Sequence, residues 1–171
     1  MEHSFMKINK KPSKSDEWAT PPEAVEPLVP FIDKNKVVWC PFDTEDSNYV
    51  KVLRNHGISV VFSHISQGKD FFEYEPKTYD YIISNPPFSN RQKILERLYE
   101  LGKPFAMLMN NNGLFDNSAR YKLFQENGVQ LLVIHGRTAF TNLVTGQTGT
   151  PAFQSLYVCH NFLQNDIVFD K

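Results

Sequence analysis

Tyr79-Asp80-Tyr81-Ile82-Ile83-Ser84-Asn85-Pro86-Pro87-Phe88-Ser89-Asn90-Arg91-Gln92 is the stretch of this 171-residue chain on which the reading of the fold turns. Residues 79–84 are an apolar, β-branched run of strand length. Pro86 and Pro87 then fix the backbone in an extended shape and remove two amide donors, and Asn85 is held extended because it precedes a proline. Ser89-Asn90-Arg91-Gln92 next offers the pattern of a capping box. Ile94, Leu95, Leu98 and Leu101 follow at helical spacing as a buried stripe. A buried strand, a stiff ledge and a helix in succession are one unit of an α/β fold.

The same alternation extends in both directions. Strand-like runs occur at Val37–Cys40, Val60–His64, Phe105–Met109, Leu131–His135 and Ser155–His160. Several are apolar at every position, as expected of strands covered on both faces. Thr20-Pro21-Pro22-Glu23 predicts a helix capped by Thr20 and Glu23 and running toward Phe31. A further helix is expected after Asp46, closed at Asn55-His56-Gly57, and another from Ser118 to Asn127-Gly128. Residues 140–153, rich in Thr and Gly, show no periodicity and read as a loop. These elements predict a doubly wound α/β fold, mostly parallel, with helices on both faces.

Composition narrows the function classes. Hydrophobic residues make up 41% of the chain, which suits one compact domain. With 18 basic and 19 acidic side chains the net charge is -1, so no global basic field draws the chain to phosphates. Only Lys7, Lys10, Lys11 and Lys14 are locally clustered, and residues 1–14 read as a flexible tail ahead of a single domain at 15–171. Cys40 and Cys159 lie inside strand-like runs with no Cys-x-x-Cys partner, so neither zinc nor redox chemistry is supported. No apolar run is long enough to span a bilayer and no signal-peptide pattern is present. A soluble, cytoplasmic protein without metal or membrane is therefore expected; its oligomeric state is open.

In an open parallel sheet, ligands bind beyond the carboxyl ends of the strands, which is where Asn85-Pro86-Pro87-Phe88 falls. The ledge presents carbonyl oxygens, one amide side chain and one aromatic ring. That set suits an aryl amine, whose lone pair is delocalised into its ring. The Asn85 side-chain oxygen and the Pro86 carbonyl can hold its two N–H groups and favour a more tetrahedral nitrogen. Phe88 offers a stacking surface for a displaced base, worth ~1–3 kcal/mol.

Asn85-Pro86-Pro87-Phe88 resembles the catalytic motif of class I amino-methyltransferases, above all the adenine-N6 DNA methyltransferases of small phage type. Trp18-Ala19-Thr20-Pro21 is similar to the element that opens those enzymes, where it contacts the methionine end of the cofactor. Cys40-Pro41-Phe42 resembles the start of the first cofactor motif, and Gly68-Lys69-Asp70-Phe71-Phe72 resembles the third. The order of the four elements is the family's. The resemblance implies a Rossmann-like class I methyltransferase fold with an antiparallel strand near the C-terminus, S-adenosylmethionine as cofactor, and adenine in nucleic acid as substrate, with DNA favoured over RNA. Asn85, Pro86, Pro87 and Phe88 become the catalytic candidates. Trp18, Thr20, Pro21, Cys40, Pro41, Phe42, Asp43, His64, Asp70 and Phe71 become the cofactor candidates.

Two departures stand out. Residues 43–47 contain no glycine where the family has several, although Asp43 there offers a partner for the cofactor's amine or ribose. Ser63-His64 stands where an acidic residue is expected. The chain has no separate target-reading domain, which leaves Ser89, Arg91, Arg137 and Phe140 as substrate candidates. Several candidates also have a plain structural reading: Arg137 in a surface ion pair, Phe140 and Trp18 in the core, His64 with a local partner. Besides DNA adenine, the same chemistry fits RNA adenine or a protein glutamine, and the missing glycines also fit a non-catalytic binding module.

Overall fold

The computed structural model describes residues 18–171; the basic N-terminal stretch, with its four lysines, lies outside them. Ten strands and four α-helices are numbered here in chain order. The main sheet contains β2 (Val37–Cys40), β3 (Ser59–Phe62), β4 (Tyr81–Ser84), β5 (Phe105–Asn110), β6 (Gln130–Val133), β9 (Ser155–His160) and β10 (Ile167–Phe169). Their order across the sheet is β10-β6-β9-β5-β4-β2-β3. Every neighbouring pair is parallel except those made by β9, which runs antiparallel between β5 and β6.

Both faces of this sheet are buried, and the strand period of two divides the side chains between them. Val38, Cys40, Ile83, Ala106, Leu108, Tyr157 and Cys159 enter one core. That core also holds Tyr49, Val50, Val52 and Leu53 of α2 (Asn48–Asn55). Trp39, Ile82, Phe105, Met107 and Val158 enter the other. There they meet Ile94, Leu95 and Leu98 of α3 (Arg91–Leu101) and Phe124 of α4 (Ser118–Asn127). This is why the strands read as continuous apolar runs rather than as alternating ones.

Several local expectations are corrected. The first helix, α1, spans only Pro22–Val25 and continues as a 3-10 helix over Glu26–Phe31. Pro27 and Pro30 lack the amide donors that further α-helical turns need. Thr20 does not cap it: the residue before the helix is Pro21, and no side chain caps that end. The box expected at Ser89–Gln92 is also absent. Phe88–Asn90 form a 3-10 turn, α3 begins at Arg91 without a side-chain cap, and Gln92 donates instead to Glu96. The caps of α2 and α4 come from Ser47 and Asn117.

The segment 140–153 is not a featureless loop. It carries β7 (Phe140–Asn142) and β8 (Thr148–Gly149), which pair antiparallel with each other. β7 also pairs with β1 (Trp18–Ala19), making a small three-stranded sheet.

Helices α1 and α2 are tied to the main sheet through Tyr157 of β9. Its hydroxyl donates to the Ala24 carbonyl at 2.8 Å and lies 3.0 Å from the Tyr49 hydroxyl, all of it buried. Tyr157→Phe leaves the Tyr49 hydroxyl and the Ala24 carbonyl short of a partner. It should lower the unfolding free energy by ~1–3 kcal/mol in urea titration without changing the denaturant slope.

Candidate functional site

The strand order reverses between β2 and β4: from β2 the chain moves outward to β3, and from β4 it moves the other way to β5. The crevice beyond the carboxyl ends of those two strands is the ligand position of an open α/β sheet. Pro41-Phe42-Asp43 leaves one strand there and Asn85-Pro86-Pro87-Phe88 leaves the other.

Asn85 donates its side-chain N–H to Thr20 Oγ1 at 3.1 Å. Thr20 is buried, and its carbonyl accepts from the Asn48 side chain at 2.8 Å. One donor of Asn85 is thereby engaged, and its side-chain oxygen has no partner among the described residues. Trp18, Thr20 and Pro21 are thus delivered to the ledge by a segment 65 positions away, and Thr20 makes that contact with the oxygen expected to cap a helix.

Asp43 is the one buried carboxylate among the described residues. It accepts hydrogen bonds from the Ser47 and Ser84 hydroxyls, the latter at 2.5 Å. Its amide donates to the Ser63 carbonyl at 3.1 Å. Burial disfavours its charge more than the two serine hydrogen bonds support it, so its pKa rises from 3.8 to about 6. Among the described residues, no lysine, arginine or histidine forms an ion pair with it. Ser84, Ser47 and Asn48 are members of this network that the sequence patterns pass over. The one visible signal is Ser84, a buried hydroxyl closing an apolar strand just before the ledge.

Asp70-Phe71 is brought to the same region through its aromatic neighbour. The Phe71 ring lies 4.9 Å from Phe42 and 5.7 Å from Trp39. Asp70 folds its own turn, with its carboxylate accepting from the Phe72 amide at 2.9 Å. His64 takes a local partner: it heads a 3-10 turn, with Nδ1 2.6 Å from Ser66 Oγ, and the turn closes at Gly68 in the left-handed conformation. Pro41 is buried. The Cys40 thiol points into the core, where burial pushes its pKa up, so only its backbone is near the crevice.

The substrate candidates separate. Phe88 is 43% exposed. It borders an aromatic cavity of about 330 Å³ with Trp18, Phe140, Phe153 and Pro151. Phe140 is both a core residue and a wall of that cavity. Ser89 is exposed beside the ledge. Arg137 is exposed and forms no ion pair among the described residues; its guanidinium reaches the Pro151 carbonyl at 3.5 Å. Arg91 does not point outward as an anion donor. It binds the carbonyls of Asn110, Asn112 and Gly113 at 2.8, 3.1 and 3.2 Å.

Among the described residues, no group of three or more His, Cys, Asp or Glu side chains is placed to hold a metal, and no helix is long and apolar enough to cross a membrane.

No known protein family and no curated protein matches the sequence. Solved structures do match the fold. A candidate RNA methyltransferase from Pyrococcus horikoshii superposes with a TM-score of 0.57 at 16% identity, covering 90% of this chain and 91% of that one. A dimethyladenosine transferase from Plasmodium falciparum gives 0.50 at 10% identity, covering 82% of this chain and 62% of that one. The chain therefore has the Rossmann-like fold of class I methyltransferases, with the antiparallel strand near its C-terminus.

The buried carboxyl makes stability depend on pH in a definite sense. Its native pKa lies above the unfolded value, so the native state holds the proton more tightly and loses stability as pH rises from about 4 to about 6. The full loss is on the order of 3 kcal/mol. Asp43→Asn, which cannot ionise, should lack this slope when both proteins are unfolded with urea between pH 4 and 7. Parallel pH profiles would show that the carboxyl is not desolvated.

Proposed function

We propose that this chain is an S-adenosylmethionine-dependent methyltransferase acting on the exocyclic amine of adenine in nucleic acid, with DNA as the favoured polymer. The observation that carries the reading is Asn85. Its side-chain donor is fastened to Thr20 and its acceptor is left unpaired, at the fold's ligand crevice, beside a half-exposed Phe88 and an aromatic cavity.

The residues at the crevice suit a cationic donor. Asp43 is a buried carboxyl with no ion-pair partner among the described residues, and a ligand bringing an ammonium or sulfonium charge supplies one. On this reading Asp43, Thr20 and the backbone of Cys40–Phe42 hold the methionine end. Trp18, Pro21, Phe42, Phe71, His64 and Asp70 surround the rest. S-adenosylmethionine, when bound there, supplies an electrophilic methyl group.

The chain's own part is to position the amine. The Asn85 side-chain oxygen and the Pro86 carbonyl accept its two N–H groups and turn its lone pair out of conjugation. The proline pair keeps the two acceptors at a fixed spacing, and that geometric control is the source of the rate enhancement. Phe88, Trp18, Phe140 and Phe153 form an apolar socket for the base, and Ser89 and Arg137 flank it.

The order of motifs along the chain speaks for DNA; the name of one structural neighbour speaks for RNA and that of the other for adenosine, which makes RNA adenine the second reading. Purified protein incubated with methyl-labelled S-adenosylmethionine and, separately, unmethylated DNA, RNA and a glutamine peptide distinguishes them. Label in N6-methyladenine of DNA is expected. Label only in RNA or in the peptide would move the substrate, and failure to bind S-adenosylmethionine by calorimetry would leave the non-catalytic module.

Two further results are expected. Asn85→Ala should reduce transfer on the order of 10²–10³-fold while leaving cofactor affinity nearly intact, whereas Asp70→Ala should weaken cofactor binding first. Because Asp43 titrates near 6 and a cation favours its ionised form, cofactor affinity should tighten as pH rises from 5 to 7. Calorimetry across that range, repeated on Asp43→Asn, should show the dependence vanish in the variant.

A further inference from the structure

Beyond β5 the chain makes a tight turn over Asn110–Leu114, and two arginines hold it in place. Arg91 from α3 donates to the carbonyls of Asn110, Asn112 and Gly113. Arg120 from α4, itself 6% exposed, donates to Leu114 at 2.8 Å and to Gly113 at 2.5 Å. Gly113 has φ +65, and a Cβ there would sit 3.3 Å from Asp116 and 3.5 Å from Arg91. Devoting two guanidinium groups to the carbonyls of a five-residue turn is costly in desolvation, so a loose surface connection does not account for it.

The turn borders a second cavity, of about 160 Å³, walled by Pro86, Pro87, Phe88, Arg91, Leu108 and Met109 together with Asn110 and Asn112 of the turn. Phe88 is a wall of both this cavity and the aromatic one described above. No other ring of the described residues packs on Phe88. The second cavity differs in chemistry: Leu108 and Met109 give it an apolar side, and Asn110 and Asn112 give it amide groups. The Asn110 side-chain oxygen accepts the Asn112 amide at 2.7 Å, which fixes the turn. The Asn112 side chain has no partner among the described residues. It therefore offers one donor and one acceptor together, the pair that reads a base edge.

We propose that this second cavity is a subsite for the nucleotide adjacent to the target adenine in an unpaired strand, and that Asn112 sets the preference for that neighbouring base. The inference rests on the methyltransferase reading and names its substrate more closely: a strand of at least two nucleotides, one on each side of Phe88. Arg91 and Arg120 are positioning residues that hold the backbone of the turn carrying Asn112.

The test uses the full chain with S-adenosylmethionine and single-stranded oligonucleotides carrying one adenine among randomised neighbours, with methylated products identified by mass spectrometry. The wild-type protein should prefer one base at one flanking position by about tenfold or more. Asn112→Ala should flatten that preference, and Asn112→Asp, which only accepts, should shift it toward cytosine with its amino donor. Thermal unfolding of both variants verifies that the turn is retained. If adenine is methylated and all three proteins show the same flanking preference, or the wild type shows none, the subsite is wrong and the methyltransferase reading stands. If no adenine in any oligonucleotide accepts label, both fall together.

Discussion

The hydrogen bond from Asn85 to Thr20 is the contact on which the arrangement of the crevice depends. Its net energy is modest, about 1 kcal/mol by the usual measure. Its geometric effect is larger. An amide has a donor end and an acceptor end, and engaging the donor decides which end faces the crevice. The same bond brings the segment beginning at Trp18 over the carboxyl edge of the main sheet. Because Trp18 and Ala19 pair with β7, the small sheet comes with it, and with that sheet comes Phe140. The aromatic cavity is thus a consequence of where Thr20 is held.

Much of the main sheet is legible from sequence because burial on both faces leaves an unmistakable mark. Val37–Cys40 and Ser155–His160 match their strands residue for residue, and each distributes its side chains between two cores. Other strand ends shift by one or two residues, since a chain that continues extended past its last ladder bond looks no different locally. The helix starts at Thr20 and Ser89 fail for a related reason. A threonine oxygen ahead of Pro-Pro-Glu has the same sequence signature whether it caps its own helix or accepts from an amide 65 residues away. The strands β7 and β8, of three and two residues, are too short to generate any period.

The candidate site divides along the same line. Asn85, Phe88, Asp43 and Thr20 converge because they sit at strand ends whose order the fold dictates. Arg91 is legible as a residue at a helix start but not as a staple, because its three partners lie on the turn after another strand. Ser84 and Ser47 are silent in the sequence. Serine is common in such places, and only the buried carboxylate between them gives them weight.

That carboxylate bears on the loop without glycine. Glycines after the first strand let a backbone approach a ligand closely, and residues 43–47 forgo that option. Ser47 both caps α2, accepting from the Tyr49 amide, and donates to Asp43, while Ser84 donates from the neighbouring strand. The two hydroxyls hold the carboxyl in place, and burial keeps it near the threshold of ionisation instead of fully charged. A positive ligand arriving at the switch point would complete its ionisation, so attraction grows as the ligand enters. On the methyltransferase reading, the loop exchanges backbone proximity for a charge that develops on binding, and the absence of glycine marks a different way of holding the donor rather than the loss of it.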